Sequence, residues 1–308
     1  MDALAVALRF GLYLDLMLLF GTGAFALYAL RGAERASGAV LPLFPLLLSV
    51  SFAALPLSAL GLLVLAANMA GTPLFPVDND TLGVVLWETA IGTAWMVRIA
   101  ALAATALAVV TLHRAPLAVS LVAASGGALA LATLAWSGHG AMEGAGGWLH
   151  LAADIAHLLA AGLWIGALFC LGILVFAPST GASVARLQLA HRALAGFAPV
   201  GSMAVAMLVA TGIANTFWIL GWAGLTGLPG TRYGQLLIAK LLLFAAMLGL
   251  AASNRWRLVP RLESGLTASP LAPLAALRRS LALEALAGAA IVALVAWLGT
   301  LDPGGAAQ

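Results

Sequence analysis

The sequence has very little charge for its length. Only 8% of its 308 residues are Asp, Glu, Lys or Arg, whereas 63% are hydrophobic. An ordinary soluble domain carries roughly 25% charged residues, so this chain has too few charges to cover a globule that faces water. Disorder requires the opposite composition. The arginines are scattered and form no basic patch, which disfavours nucleic-acid binding.

Cysteine and the common catalytic motifs are also scarce or missing. The single cysteine, Cys170, excludes an internal disulfide framework and a cysteine-rich zinc site, and its apolar neighbours predict a packing role. The sequence contains no P-loop, G-x-S-x-G or H-E-x-x-H motif. We therefore expect no enzymatic activity and no ATP-driven transport by this chain alone.

Long apolar runs dominate what is present. A membrane-spanning helix needs about 20 mostly apolar residues, and eight stretches qualify: 5–30, 41–69, 83–111, 116–136, 148–176, 193–220, 234–254 and 279–300. The third stretch is longer than a bilayer requires, so its first two turns are expected outside the hydrocarbon. The sequence predicts an all-α, polytopic membrane protein with a single membrane domain over residues 1–308, surrounded by lipid.

The placement of arginine predicts the orientation of these helices. With eight spans, loops 31–40, 112–115, 177–192 and 255–279 lie on one side and hold 10 of the 14 basic residues. The opposite loops hold only Arg232. Because basic residues accumulate on the cytoplasmic side of a membrane, both termini are predicted to be periplasmic.

A short pattern occurs twice in the chain. The pattern T-x-x-G-x5-[R/K] opens the third stretch at Thr89 and the seventh stretch at Thr231. These stretches are four spans apart and enter the membrane from the same side. The repetition favours two parallel four-helix halves, residues 1–115 and 116–308.

The densest group of metal-ligating side chains opens the fifth stretch. His150, Asp154 and His157 have i, i+4 and i+7 spacing, which places them on one helical face. The two histidines are about 10 Å apart along the axis, which is too far for adjacent ligands of one ion and favours an entry site and a deeper site. His139 and Met142 lie just upstream in the outer loop.

Imidazole and thioether groups suit copper better than Mg²⁺ or Ca²⁺, and Asp154 can orient a histidine ring. Met69 ends the second stretch on the outer side and is a further candidate ligand. The structural alternative is that the histidines and Asp154 only anchor a helix end by hydrogen-bonding each other. Three polar residues on one face favour the functional interpretation.

Five other ionisable residues fall within predicted spans: Asp15, Glu88, Arg98, Lys240 and Glu284. Each costs at least about 2.5 kcal/mol at mid-bilayer when unpaired, so we expect them to face the bundle interior and to pair. Asp15 and Asp154 are the expected partners of Arg98 and Lys240. Glu284 lies towards the cytoplasmic side, where it can receive an ion or proton leaving inward. The alternative is ion pairing that only fixes helix register.

The segments 136–139 and 150–166 resemble the signature of the CopD (copper-resistance protein D) family of bacterial inner-membrane proteins. Further matching segments are 9–10, 92–98, 211–212, 231–240, 254–255, 259–262 and 277–284. The resemblance covers nearly the whole chain and is strongest over 136–303. Many members have a histidine early in the first helix, where this chain has Gly11 to Asp15.

The resemblance implies a multi-pass protein of the bacterial inner (plasma) membrane that moves copper ions from periplasm to cytoplasm. It also implies a separate periplasmic CopC-type copper-binding partner, since this chain has no room for a fused one. Copper would bind near His139, Met142 and His150 and pass towards His157 and Asp154.

Two alternatives remain open from the sequence. One is a b-type haem electron carrier, which needs two histidines on facing helices, whereas His139, His150 and His157 belong to one segment. The other is a non-transporting copper scaffold or sensor, which would use the same outer site without needing Glu284.

Overall fold

The computed structural model describes residues 2–36, 38, 41–137, 147–176, 183–258, 260 and 271–301. Within these ranges the chain forms helices and turns, and no strand occurs. The helices are α1 (Asp2–Ala29), α2 (Ala33–Ala36), α3 (Leu43–Ala70), α4 (Asn79–Glu88), α5 (Ala90–Thr111), α6 (Pro116–Ala132), α7 (Gly147–Phe176), α8 (Ser183–Gly227), α9 (Arg232–Ser253) and α10 (Leu271–Leu298).

Eight helices among the described residues are long and apolar enough to cross a membrane, namely all except α2 and α4. This confirms the predicted all-α fold with eight spans. In α8 the spanning part covers residues 189–221 and ends where Gly221 leaves helical geometry at φ 59°. An even number of crossings returns the chain to the side from which it started, whereas the assignment of that side to the periplasm stays a prediction.

The third predicted stretch is divided between two helices. Asp78 begins α4 by accepting hydrogen bonds from the backbone N–H groups of Asp80 and Thr81. Hydrogen bonds from the hydroxyl and backbone of Thr81 also lower the pKa of the Asp78 carboxyl. At Thr89 the backbone is extended, and the spanning helix α5 begins after it. The prediction that Glu88 lies within a spanning helix is therefore wrong, because Glu88 ends α4 and the spanning helix begins at Ala90.

The repeated T-x-x-G pattern is a helix start. Thr89 and Thr231 each cap a helix N-terminus, and their hydroxyl oxygens accept the backbone N–H of Gly92 at 3.1 Å and of Gly234 at 3.0 Å. A Cβ at either glycine would overlap a backbone carbonyl of the preceding turn. The pattern thus has a local cause, since it caps the helix and lets the preceding chain lie directly against its first turn.

Helix α1 lies at the centre of the bundle and packs against α3, α6, α7 and α10. Helices α1 and α7 approach closely, because a Cβ on Gly166 would overlap the backbone of Gly21. Cys170 is fully buried one turn further along α7, with its Sγ 3.8 Å from the Thr22 hydroxyl. This confirms the packing role predicted for Cys170.

Arginines cap helix ends on the side predicted to be cytoplasmic. Arg35 donates to the carbonyl oxygens of Ala26 and Leu27 in the last turn of α1, at 2.7 and 3.0 Å. Arg278 donates to the Val175 carbonyl at the end of α7, at 2.8 Å. Cations at helix C-termini satisfy carbonyls that lack intrahelical partners and interact favourably with the helix dipole.

The contact between α1 and α7 predicts a position-specific sensitivity to one added methyl group. Gly166→Ala should lower the melting temperature of the protein in detergent, because the new Cβ meets backbone that cannot rotate away. Gly172→Ala is the matched control on the same helix, where nothing lies within 4 Å of the new Cβ. Equal melting temperatures for the two variants would contradict this packing.

Candidate metal centre

Helix α7 carries the predicted polar face. His150, Asp154 and His157 begin at its first turn and descend towards the middle of the span. The His150 Nε2 lies 4.0 Å from the Asp154 Oδ2, which is too long for a hydrogen bond. Mutual hydrogen bonding of His150 and Asp154, the structural alternative considered for these residues, is therefore not what holds this pair.

Helix α8 supplies a matching row of side chains that the sequence analysis did not assign to the site. Thr211, Asn215 and Trp218 repeat the i, i+4, i+7 spacing of α7. The facing contacts are Thr211 Oγ1 with His157 Nδ1 at 2.9 Å, Asn215 Nδ2 donating to Asp154 Oδ1, and Trp218 stacked on His150 with centroids 5.3 Å apart. The order reverses along the chain because the two helices are antiparallel neighbours. The signal that would have found this row is its shared spacing.

His150 is a buried imidazole that makes no hydrogen bond within the described part of the chain. It is only 2% exposed, and neither Nδ1 nor Nε2 has a partner among the residues that the structure describes. A buried donor or acceptor left unsatisfied costs about 1–3 kcal/mol. The ring nitrogens of His150, beside the Asp154 carboxylate, are therefore the side-chain atoms here with most to gain from binding a cation.

Lys240 on α9 lies beside the same cluster. Its ammonium group interacts electrostatically with the Asp154 carboxylate and with the His157 ring. The pairing of Asp154 with Lys240 in an ion pair stays a prediction. The positive charge of Lys240 offsets the negative charge of the Asp154 carboxylate inside the membrane.

Arg98 on α5 has a different partner from the one expected. It is 5% exposed, and its Nε donates to the Thr133 hydroxyl at 2.8 Å. The predicted ion pair between Asp15 and Arg98 is wrong, because no salt bridge joins these two described residues. Asp15 instead has a buried Oδ2 with no hydrogen-bond partner in the described ranges.

A second buried polar pair lies near the other end of the bundle. Glu284 on α10 is 3% exposed and accepts a hydrogen bond from Asn254, which follows the last residue of α9. Asn254 comes 14 residues after Lys240, so it lies about 20 Å further along the helix axis. The bundle therefore holds ionisable groups at two depths, one in the first halves of α7 and α9 and the other in the first half of α10.

The remaining candidate ligands are not gathered at this cluster. His139 and Met142 lie outside the described residues. Met69 is 58% exposed at the end of α3, a helix that packs against α1, α4 and α5. Over the described part of the chain, no three His, Cys, Asp or Glu side chains converge as a metal-ligand group. The α7–α8 cluster alone is therefore an incomplete coordination sphere.

Comparison with known proteins identifies two matching family models. Residues 1–151 match the model described as "Copper resistance protein D-like, N-terminal domain", and residues 191–298 match "Copper resistance protein D". Together the two models account for most of the chain, including Arg98, Lys240 and Glu284. No solved structure matches the chain.

Two curated relatives match along almost their full lengths. The chain is 41% identical to "Copper resistance protein D" of Pseudomonas syringae pv. tomato over 304 residues, which is 98% of this chain and 97% of the relative. It is 29% identical to "Inner membrane protein YebZ" of Escherichia coli (strain K12) over 308 residues, 97% of this chain and 98% of the relative.

The hydrogen bond between Arg98 and Thr133 predicts a stability effect. Thr133→Val should lower the free energy of unfolding by about 1.5–3 kcal/mol, because it removes an acceptor from a buried guanidinium. Thr111→Val is the control, since the Thr111 hydroxyl is exposed and bonds only to backbone carbonyls of its own helix. Thermal unfolding in nanodiscs measures the stability of both variants. A Thr133→Val variant as stable as the wild type would show that Arg98 does not depend on this hydrogen bond.

Proposed function

We propose a copper-transport function for this chain, which belongs to the copper resistance protein D family. It is a multi-pass, copper-related membrane protein, and we infer that it resides in the bacterial inner membrane and moves copper from the periplasm towards the cytoplasm. The observation that carries the proposal is His150, an imidazole buried at the start of α7 whose two ring nitrogens have no hydrogen-bond partner among the described residues. Imidazole nitrogen is a strong ligand for copper.

The outer binding step uses the start of α7. His150 binds the incoming ion, and Asp154 contributes negative charge 4.0 Å from the His150 Nε2. Because this pair is incomplete as a coordination sphere, His139 and Met142 are proposed to supply the remaining ligands. Met69 on α3 would serve as a separate outer contact. A periplasmic CopC-type protein is the proposed donor of copper to this face.

The deeper step uses His157 and the cation beside it. His157 lies two helical turns below His150, about 10 Å along the axis. Lys240 balances the Asp154 charge when no metal is bound, and an arriving copper ion takes over that role. Glu284, hydrogen-bonded to Asn254, is proposed to receive the ion or a proton on the cytoplasmic side. The copper gradient or copper-binding donors and acceptors drive the movement.

The arrangement of α7 and α8 disfavours the haem alternative. Axial ligation by two histidines needs them on facing helices. The residues of α8 that face His150 and His157 are Trp218 and Thr211. Neither is a histidine, so the pairing that a b-type haem requires is not provided by these two helices. A copper scaffold would use the same outer site. It differs from a transporter only in having no inward path for the ion.

Copper binding is tested by metal analysis of the purified protein. The wild type should retain copper near stoichiometrically after incubation and desalting, whereas His150→Ala/His157→Ala should lose most of it, because both imidazoles are removed. His113→Ala is the control, since His113 is an exposed histidine at the opposite membrane face. Mass spectrometry of metal content gives the readout, and equal copper in wild type and double variant would refute the ligand assignment.

Transport is tested at Glu284. Glu284→Gln keeps an oxygen that accepts the Asn254 hydrogen bond and replaces the other carboxylate oxygen with an uncharged NH2 group. Copper uptake into proteoliposomes should fall at least about tenfold, a barrier increase of about 1.4 kcal/mol, while copper binding stays at the wild-type level. Glu88→Gln, at an exposed carboxylate outside the spans, should change neither quantity. Full uptake by Glu284→Gln would remove Glu284 from the path, and copper binding without uptake by the wild type would favour the scaffold.

A further inference from the structure

The Thr211 hydroxyl lies between two polar atoms. Its Oγ1 is 2.6 Å from the carbonyl oxygen of Met207, one turn earlier in α8, and 2.9 Å from the His157 Nδ1. Thr211 is only 7% exposed, so no solvent competes for these contacts. A threonine hydroxyl has one proton to donate and two lone pairs to accept with.

The direction in which Thr211 donates its one proton determines which tautomer the neutral His157 ring adopts. A carbonyl oxygen has no proton, so the short contact between Thr211 and Met207 is attractive only if Thr211 donates. The hydroxyl then has only lone pairs to offer His157, so Nδ1 must carry the proton that joins them. In a neutral imidazole, a proton on Nδ1 leaves Nε2 with a free lone pair.

We propose that Thr211 is a positioning residue that holds His157 in the Nδ1–H tautomer, so that Nε2 is the atom that binds copper in the deeper step. The inference rests on the proposed function for the identity of the ion, whereas the tautomer is a property of the metal-free protein. A hydrogen bond to the second nitrogen of a ligating histidine fixes both its tautomer and its ring orientation. Thr211 performs this task with a neutral side chain, inside the membrane.

The ring nitrogens of the two histidines of α7 therefore differ in their hydrogen bonding. His150 has no hydrogen bond on either nitrogen among the described residues, and its ring is stacked on Trp218. His150 can present either nitrogen to an arriving ion, whereas His157 presents one. An adaptable outer ligand followed by a preset inner ligand suits an ion that must be accepted from a donor and then passed inward in one direction.

The tautomer is measured directly by ¹⁵N nuclear magnetic resonance. Protein labelled with ¹⁵N-histidine is prepared without metal in nanodiscs, and the His157 signals are assigned from their loss in His157→Gln. The wild type should show a protonated Nδ1 and an unprotonated Nε2. Thr211→Val keeps the shape of the side chain without its hydroxyl and should shift His157 towards the Nε2–H form. Thr211→Ser restores the hydroxyl and should return the wild-type spectrum.

Two controls separate this effect from a folding defect. The His150 signals should not change in Thr211→Val, because Thr211 contacts the other histidine. Thr216→Val removes a hydroxyl that bonds to the Gly212 carbonyl of its own helix at 2.7 Å and should leave His157 unchanged. A wild-type His157 protonated at Nε2, or a Thr211→Val spectrum identical to wild type, would overturn the inference.

Copper affinity gives a second readout. Thr211→Val should weaken the copper binding that depends on His157 by about tenfold, the usual lower range for losing an outer-shell partner, and Thr211→Ser should recover it. Undiminished affinity in Thr211→Val would show that the tautomer is not used for binding. If the wild type keeps the Nδ1–H form but binds no copper, the proposed function fails while the tautomer assignment stands.

Discussion

The hydrocarbon layer offers no hydrogen-bond partners, and every polar group inside it must find one within the protein. Helices meet this demand for the backbone, which explains why the described chain contains helices and no strand. Side chains must meet it through tertiary contacts, as Arg98 does with Thr133 and Glu284 does with Asn254. His150, whose ring nitrogens have no hydrogen-bond partner among the described residues, is therefore a candidate for binding a ligand.

The two repeated helix starts lead to different surroundings for their cations. Arg98 follows the first T-x-x-G pattern and donates a hydrogen bond to the hydroxyl of Thr133, which directly follows α6. Lys240 follows the second and interacts with Asp154 and His157. The same T-x-x-G helix start therefore precedes a cation with a hydroxyl partner in α5 and a cation near a histidine and a carboxylate in α9. This difference concentrates the proposed copper chemistry on α7, α8 and α9.

The α7–α8 interface joins stability to function. Its three facing pairs bring a hydroxyl, an amide and an indole against a histidine, a carboxylate and a second histidine. Thr211, Asn215 and Trp218 each contact one of these side chains on α7. The same contacts that hold two antiparallel helices together therefore prepare the proposed ligands before any ion arrives.

The sequence by itself determined the all-α fold, the eight spans and the shared face of His150, Asp154 and His157, because hydropathy and helical periodicity are local properties. It also indicated that the first turns of the third stretch leave the bilayer, although it placed Glu88 on the wrong side of that break. Only the tertiary structure decided that Arg98 contacts Thr133 rather than Asp15, and that α8 faces the cluster with Thr211, Asn215 and Trp218. Those choices depend on the rotation and depth of one helix against another, which packing across the whole bundle sets and no single segment encodes.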